Sequence, residues 1–257
     1  MHIIKLHRMK ILSSNTLQGI GKYNNDILGH SENFCYVMDG ASALFADNLF
    51  FETSDLYEYM QLLKKHIKDG DTSIDIFRNG ITESNKFLPD INKYPEYELP
   101  TFTIAGVKEN TDNYELYLLC DCLISILYQD GRVENLEDLR FNEINTKIEG
   151  EIAKIDELDL VEAEKIIRKR PIWQRYRKFA NAPDGYPVGS TNPESVRVGI
   201  VKTINKADVD KILICTDGLF SSIGLPNDAS YFDEHDLEDK IAKNHNHDDL
   251  TYILIKA

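Results

Sequence analysis

The sequence ends two apolar runs with the same dipeptide, at Asp39-Gly40 and at Asp217-Gly218. A lone Asp-Gly after a strand is more often a hairpin turn than a site, and Asp130-Gly131 continues into Arg132-Val133 as a hairpin would. Neither of the first two pairs is followed by such a returning polar-apolar alternation. A carboxylate at a buried strand end, beside a glycine that lets a metal approach the backbone carbonyl, is a suitable cation ligand. Both pairs are therefore candidate metal ligands.

Further oxygen-rich positions accompany them. Asp248 and Asp249 stand immediately before the last apolar run, where adjacent like charges are costly unless a cation neutralises them or one points to water. Asp121 interrupts a long apolar run, and an acid left unpaired there would be expensive. Asn25-Asp26 lies just ahead of a predicted short strand, although an ordinary turn explains it equally well. Hard oxygen ligands without the Cys and His spacing of a zinc site indicate magnesium or manganese.

Composition limits the remaining classes of function. The chain has 257 residues, 42% hydrophobic and 28% charged, which predicts one domain with a substantial core. A net charge of -14 repels phosphate backbones, so we expect no nucleic-acid partner. The first residues lack the apolar core of a signal peptide and no apolar run is long enough for a membrane span, so we expect a cytoplasmic protein. The cysteines lie in apolar strand-like runs and are expected to be reduced and buried: Cys35, Cys120, Cys122 and Cys215.

Runs rich in Ile, Val, Tyr, Leu and Thr predict the strands that position these acids. Strands are predicted at Ile3–Ser13, Asn33–Met38, Thr101–Lys108, Tyr114–Cys120, Leu123–Gln129, Val196–Ile204, Lys211–Cys215 and Thr251–Lys256. Helices are predicted in three blocks, at Phe50–Lys86, Leu136–Phe179 and His235–Lys243. This segregated order favours an α+β layered fold with mostly antiparallel sheets over an alternating βαβ array.

The helical blocks give sharper expectations. The first should break at Asp69-Gly70, with Asp71 or Thr72 capping the helix that follows. In the second block Pro171 should kink or divide the helix. The apolar residues of that block fall near one helical face, which is typical of an amphipathic helix: Leu158, Val161, Ile166 and Ile167.

Five motifs, taken in chain order, resemble those of the type 2C metal-dependent protein phosphatases, in particular the bacterial members. They are Asn25-Asp26, Val37-Met-Asp39-Gly40, Leu119-Cys-Asp121, Leu213-Ile-Cys-Thr-Asp217-Gly218 and Asp248-Asp249-Leu-Thr251. The resemblance extends from about residue 8 to residue 256. It implies a four-layer α-β-β-α sandwich with two central, mostly antiparallel sheets in a single domain over residues 1–257. Residues from about 136 to 180 would then form the helical flap that the family carries beside its active site.

The resemblance also implies a dinuclear centre of Mg²⁺ or Mn²⁺. Asp39 would bridge the two ions, Gly40 would contribute its backbone carbonyl to one of them, and Asp217 and Asp248 would complete the shell of the other.

Two further acids would lie around this centre. Asp26 would bind through water or sit just outside the first shell, and Asp121 would hold a looser third ion together with Asp217, as in bacterial members. Candidates for outer-shell or substrate contacts are Asn25, Lys22, Ser42 and Asp249.

The implied activity is that of a protein serine/threonine phosphatase, which hydrolyses phosphomonoesters by attack of a hydroxide that bridges two metal ions. Its partner would be a phosphorylated protein. The chain departs from the family at Ala41-Ser42, where eukaryotic members have a histidine, and at Gly21-Lys22, near the usual phosphate-binding arginine. Cys120 replaces the usual glycine before Asp121. Two alternatives stay open: a weak or inactive phosphatase-like binding module, and a hydrolase of small phosphate esters.

Overall fold

The computed structural model describes residues 9–245 and 248–257. Its strands in chain order are β1 Lys10–Leu17, β2 Ile27–His30, β3 Phe34–Gly40, β4 Thr101–Glu109, β5 Asn113–Leu119, β6 Leu123–Tyr128, β7 Val133–Leu136, β8 Gly189–Ser190, β9 Ile200–Asn205, β10 Val209–Cys215 and β11 Leu250–Lys256. They form two sheets with antiparallel pairing throughout. Sheet A has the order β1-β11-β10-β6-β7, and sheet B has the order β2-β3-β4-β5-β9 with β8 paired to β4.

Alternation along the strands places one apolar face of each sheet against the other. Val37, Val107 and Leu116 of sheet B meet Ile124, Ile214 and Ile253 of sheet A in a core whose members are almost fully buried. The period of two along a strand separates these residues from those that face outward. The sheets are thus held together by Val, Ile and Leu contacts over their whole inner faces.

Helices cover the outer face of each sheet. The helices are α1 Asp55–His66, α2 Ser73–Ser84, α3 Asn142–Asp156, α4 Glu162–Arg177, α5 Asp217–Ile223 and α6 Glu234–Asn244. Apolar residues of α1 and α2, such as Met60 and Phe77, pack on the outer face of sheet B. Leu237 of α6 and Leu219 of α5 pack on the outer face of sheet A. The predicted α+β sandwich with the layers α-β-β-α is confirmed.

Most predicted boundaries agree with the structure to within a few residues. Strand β1 occupies Lys10–Leu17, later than the predicted Ile3–Ser13, of which residues 3–8 lie outside the described ranges. The predicted strand Val196–Ile204 is wrong in its first half. Pro193–Val198 forms a 3₁₀ helix capped by the Asn192 side chain, and the strand starts only at Ile200.

The first helical block divides as expected. Helix α1 ends before Asp69-Gly70, and Thr72 caps α2 by accepting from the Asp75 N–H. An acceptor on the N-cap side chain satisfies one of the donors that a helix leaves unpaired at its start. The predicted helix at His235–Lys243 is also confirmed as α6, which the Asp233 side chain caps.

The second block differs from expectation. It divides between Asp156 and Glu162, and Pro171 lies inside α4. The apolar stripe does not mark a buried face, because Val161 is 67% exposed and Ile167 is 70% exposed. The apolar residues Val161 and Ile167, at the start of α4, therefore do not pack on either sheet.

Within the described ranges, no helix has the length and apolar content needed to cross a membrane. The four cysteines are buried free thiols, as the sequence predicts.

Candidate metal centre

The ends of several strands bring the candidate ligands to one end of the sandwich. Asp39 and Gly40 close β3, and Asp26 directly precedes β2, whose Ile27 pairs with Met38. In sheet A, Cys215 pairs with both Leu123 and Tyr252. Antiparallel register therefore places Asp217, the turn before β6 and the start of β11 at the same edge. The set draws on both sheets.

Asp39 and Asp217 are in direct contact, since their carboxyl groups share a hydrogen bond. Burial, together with repulsion from Asp217, Asp26 and Asp121, raises the pKa of Asp39 well above its ordinary value. Burial raises the pKa of Asp217 to about 8, with further repulsion from Asp121 and Asp248. Half-buried carboxylates this close to one another cannot all ionise at neutral pH without a cation.

Asp26 is held at the base of this group. Burial raises its pKa to about 7, although Thr216 Oγ1 donates to its Oδ2 at 2.7 Å. The same Thr216 hydroxyl accepts from the Thr251 N–H at 3.0 Å. Asp26 is only 4% exposed, so its orientation is fixed by the starts of α5 and β11.

Three buried oxygens in this region have no hydrogen-bond partner among the described residues. They are Asn25 Oδ1, Asp26 Oδ1 and Asp121 Oδ1. An orphaned buried acceptor beside other negative groups is unfavourable unless a cation or a donor satisfies it. Amide and carboxylate oxygens are the ligands that Mg²⁺ and Mn²⁺ prefer. The donor set therefore fits a hard divalent cation.

The carboxylates do not already enclose a common point. Within residues 9–245 and 248–257, no three Asp, Glu, His or Cys side chains form a compact ligand cluster. Asp39 and Asp217 turn toward each other, whereas Asp248 lies at the exposed rim.

Both Asp-Gly glycines permit a close backbone approach. A Cβ on Gly40 would lie 2.8 Å from the Asn25 carbonyl oxygen, and a Cβ on Gly218 would lie 1.9 Å from the Asp249 carbonyl oxygen. Each glycine thus seats the neighbouring acid-bearing segment against its own aspartate. This role adds to the one expected from the sequence, which was access to the glycine carbonyl.

We expect Gly218→Ala to lower the free energy of unfolding by about 3 kcal/mol or more, because the added methyl group meets backbone rather than a movable side chain. Gly150→Ala is the matched control. Gly150 is exposed within α3, and a Cβ there would contact nothing within 4 Å. That control should stabilise the protein by up to about 1 kcal/mol. Urea denaturation measures both; equal effects of the two substitutions would contradict the proposed close approach.

Asp249 fastens the N-terminal segment to the start of β11. Its Oδ1 accepts from the Gly19 N–H and its Oδ2 from the Asn25 N–H, each at 2.8 Å. Both carboxylate oxygens are therefore engaged by backbone, and Asp249 positions the segment that carries Asn25 and Asp26.

The other two outer candidates lie at the surface. Lys22 is exposed, with its Nζ 4.8 Å from the centre of the Tyr23 ring, and Tyr23 stacks on Tyr57. Ser42 is exposed, and its carbonyl accepts from Arg177. Neither Lys22 nor Ser42 contacts a candidate metal ligand in an observed hydrogen bond.

The residue before Asp121 has the backbone conformation of a glycine. Cys120 has φ of 63°, and its N–H donates to Asp138 Oδ2 at 3.1 Å. The Asp138 side chain is fully buried and forms an ion pair with Arg140, whose Nε donates to Asp138 Oδ1 at 2.7 Å. The Asp138–Arg140 pair thus supports the turn that presents Asp121. Asp138 is the buried member of this pair and Arg140 is half exposed, so loss of Arg140 would leave a buried carboxylate without its charged partner.

We expect Cys120→Gly to leave the free energy of unfolding within about 1 kcal/mol of the wild type, because relief of left-handed strain offsets the greater freedom of the unfolded chain. Cys120→Val should destabilise by more than about 2 kcal/mol, since a β-branched side chain resists positive φ. Thermal denaturation of the two variants checks this. A valine variant as stable as the glycine variant would contradict the left-handed assignment.

Sequence reasoning missed α5, Asp138 and Arg140. A signal for α5 was present, because Gly224 follows its apolar residues and takes φ of 81°, and a glycine after a helix is a common end signal. For Asp138 no local signal exists, since its partner Cys120 is 18 residues away.

Solved structures with a similar fold include three serine/threonine phosphatases. The catalytic domain of PstP in complex with two manganese ions matches with a TM-score of 0.56 and 14% identity over 97% of this chain and 98% of that chain. Stp1 from Staphylococcus aureus matches with a TM-score of 0.56 and 12% identity over 100% and 99%. MsPP from Mycobacterium smegmatis, a PPM Ser-Thr phosphatase in complex with cacodylate, matches with a TM-score of 0.56 and 15% identity over 96% of this chain and 98% of that chain.

Sequence comparison alone gives no match to a family model or to a curated protein. The chain has the fold of the bacterial PPM-type Ser/Thr phosphatases over nearly its whole length. The resemblance inferred from the five motifs is confirmed at the level of the fold.

Proposed function

We propose that this chain is a divalent-metal-dependent phosphomonoesterase that acts on phosphoserine and phosphothreonine in proteins. The observation that carries the proposal is the close approach of the half-buried Asp39 and Asp217 carboxyl groups, with orphaned oxygens of Asp26 and Asp121 around them. This group lies at one end of a sandwich whose solved neighbours are protein phosphatases, one of them with two manganese ions.

In this proposal the metal ligands are Asp39, the Gly40 carbonyl, Asp217 and Asp248, with Mg²⁺ or Mn²⁺ as the ions. Asp121 and Asp217 would hold a third ion, and Asp26 would stay in the outer shell. Bound divalent cations supply charge neutralisation for a phosphate and activation of water. The protein's own contribution is to fix the carboxylates at strand ends and to keep Asp26 in place through Thr216.

A protein nucleophile does not enter this scheme. All four cysteines are buried, and burial raises the pKa of the Cys120 and Cys122 thiols well above their ordinary value. Such thiols are poor nucleophiles because the thiolate is scarce. In this proposal the phosphoryl acceptor is water and not a cysteine thiol.

The helices, the cysteines and the net charge bear on the domain organisation, the compartment and the partners. We propose a single domain over residues 1–257 in which α3 and α4 form the flap beside the centre. Four free buried thiols suit a reducing compartment such as the cytoplasm. A net charge of -14 disfavours nucleic acid as a partner.

A second candidate is a phosphatase-like module that binds phosphorylated ligands without turnover. The position of Lys22, exposed and directed at Tyr23, favours it, because the segment expected to supply a phosphate-binding cation leaves that cation at the surface.

Manganese titration followed by assay on phosphoserine and phosphothreonine peptides, with a small aryl phosphate in parallel, tests these options. We expect manganese-dependent hydrolysis of the peptides. Tight metal binding without turnover on any substrate would favour the binding module, and turnover of the small ester alone would favour a small-molecule hydrolase.

A further inference from the structure

The last residue of α4 reaches over the first Asp-Gly motif. Arg177 Nη1 donates to Thr101 Oγ1 at 2.9 Å, and its Nη2 donates to the Ser42 carbonyl at 3.3 Å. The Thr101 carbonyl in turn accepts from the Ala41 N–H at 3.0 Å. The guanidinium is therefore fastened to both chain segments that flank Gly40.

The charge of Arg177 also interacts with Asp121 and with the Tyr186 hydroxyl. Asp121 belongs to the carboxylate group around Asp39. Tyr186 packs against Cys120, the residue before Asp121, so the guanidinium lies near both the first Asp-Gly motif and the turn that presents Asp121.

Arg177 differs from its neighbours on α4 in its partners. Its acceptors are neutral oxygens of Thr101, Ser42 and Tyr186. By contrast, Arg175 forms an ion pair with Glu151 and Lys169 forms one with Asp156. Among the described residues, Arg177 forms no ion pair. A guanidinium has five N–H donors in a planar fork, so these three hydrogen bonds leave two donors for a further acceptor.

Arg177 lies where a phosphate-binding cation is expected, whereas the cation that the sequence suggested for this role lies elsewhere. The cation expected before Asn25-Asp26 is Lys22, which is exposed and lies over Tyr23. Arg177 would therefore add a fixed positive charge to that of the bound metal ions, on the side of a phosphate that faces α4.

We propose that Arg177, supplied by α4, binds the phosphoryl oxygens of the substrate at the metal centre. The proposal rests on the proposed function, since it takes a phosphomonoester as the ligand. Guanidinium groups bind phosphate through two parallel hydrogen bonds. The bonds to Thr101 and Ser42 hold the fork in place before the ligand arrives, which reduces the entropy lost on binding.

A purely structural role is the competing explanation, because an arginine at a helix C-terminus also interacts favourably with the helix dipole. Arg170 provides the matched control. It lies on the same helix and its Nη2 donates to the Phe45 carbonyl at 3.2 Å, so it fastens α4 to the same loop without any observed interaction with Asp121.

The test measures binding of inorganic phosphate to the manganese-loaded protein by calorimetry, with manganese affinity and thermal stability measured separately. We expect Arg177→Ala to weaken phosphate binding about 10-fold to 100-fold, the range of a lost charge-assisted hydrogen bond. Arg177→Lys keeps the charge and loses the planar fork, so its phosphate affinity should lie between those of the wild type and Arg177→Ala. Arg170→Ala should bind phosphate as the wild type does. Manganese affinity should change less than about threefold in all three variants, a limit well below one such hydrogen bond.

Phosphate binding by Arg177→Ala that equals the wild type would overturn the proposal, and so would an equal loss in Arg170→Ala. If Arg177→Ala does not fold, the lysine variant decides: wild-type phosphate affinity in that variant contradicts recognition by the fork. Should the wild type bind phosphate through Arg177 yet hydrolyse no ester, the inference stands while the hydrolytic function fails. Absence of phosphate binding by the manganese-loaded wild type would overturn the inference.

Discussion

Asp39→Asn is expected to reduce manganese-dependent phosphomonoester hydrolysis by about 10³-fold or more. Asp39 is the acid at the centre of the group, since it contacts Asp217 and interacts with Asp26 and Asp121. An amide of the same shape keeps the packing but removes the negative charge that would bridge two cations. Loss of about 4 kcal/mol of transition-state stabilisation gives a reduction of this size.

Asp130→Asn is the matched control for that variant. Asp130 also precedes a glycine, but its Oδ1 accepts from the Arg132 N–H in the exposed turn between β6 and β7. Its activity should be that of the wild type. Initial rates over a manganese titration measure both variants, and full activity of Asp39→Asn would exclude the proposed centre.

The same substitution should stabilise the metal-free protein at alkaline pH. Burial and repulsion from Asp217, Asp26 and Asp121 raise the pKa of Asp39 well above its ordinary value, so an uncharged amide at this position avoids the cost of ionising Asp39 as the pH rises. Asp39→Asn therefore separates the two properties, because it loses activity while it gains stability. A loss of both would indicate that Asp39 has a structural role instead.

The stability of the metal-free wild type should fall as pH rises from about 5.5 to about 8.5. Burial raises the folded-state pKa of Asp26 to about 7 and that of Asp217 to about 8, while the unfolded chain titrates near pH 3.9. Between these values the folded state binds more protons than the unfolded state, so each rise in pH favours unfolding. We expect the melting temperature to drop by on the order of 10 °C over this window.

Manganese should reverse this dependence. A cation replaces the protons on the carboxylates, so the stabilisation it gives should grow with pH over the same window. Melting curves with chelator and with saturating manganese, at pH 5.5, 7.0 and 8.5, measure both effects. In Asp39→Asn the slope of the chelator series should be smaller. A metal-free melting temperature that rises toward pH 8.5 would contradict the assignment of these acids as a coupled buried group.

The elements that the sequence predicted well are those whose signals are local. The apolar run before Asp39 and the one before Asp217 correspond to β3 and β10, because alternation and β-branched residues favour strands wherever they occur. The cap of α2 could be narrowed to Asp71 or Thr72 from residue type and place, and the structure shows that it is Thr72. The grouping of the acids at one end of the sandwich could be predicted from the order of the motifs, without knowledge of any contact between distant residues.

The errors and omissions involve contacts between segments that are far apart in the chain. Arg177 reaches Thr101 across 76 residues, and no pattern in α4 sets it apart from Arg175 or Arg170. The stripe containing Val161 and Ile167 was predicted as the apolar face of an amphipathic helix, but both residues are largely exposed in the structure. Helical periodicity predicts an apolar face and does not say whether a neighbour covers it.

The carboxylates come from two sheets, and this origin links metal affinity to the packing of the core. Asp39 ends a strand of sheet B and Asp217 follows a strand of sheet A, so the spacing between them depends on how Val37 and Ile253 pack between the sheets. A mutation in that layer can shift one sheet against the other by a fraction of an ångström without exposing any residue. The dissociation constant for manganese would then report on the alignment of the two sheets, and a variant with a normal melting temperature could still be a weak metal binder.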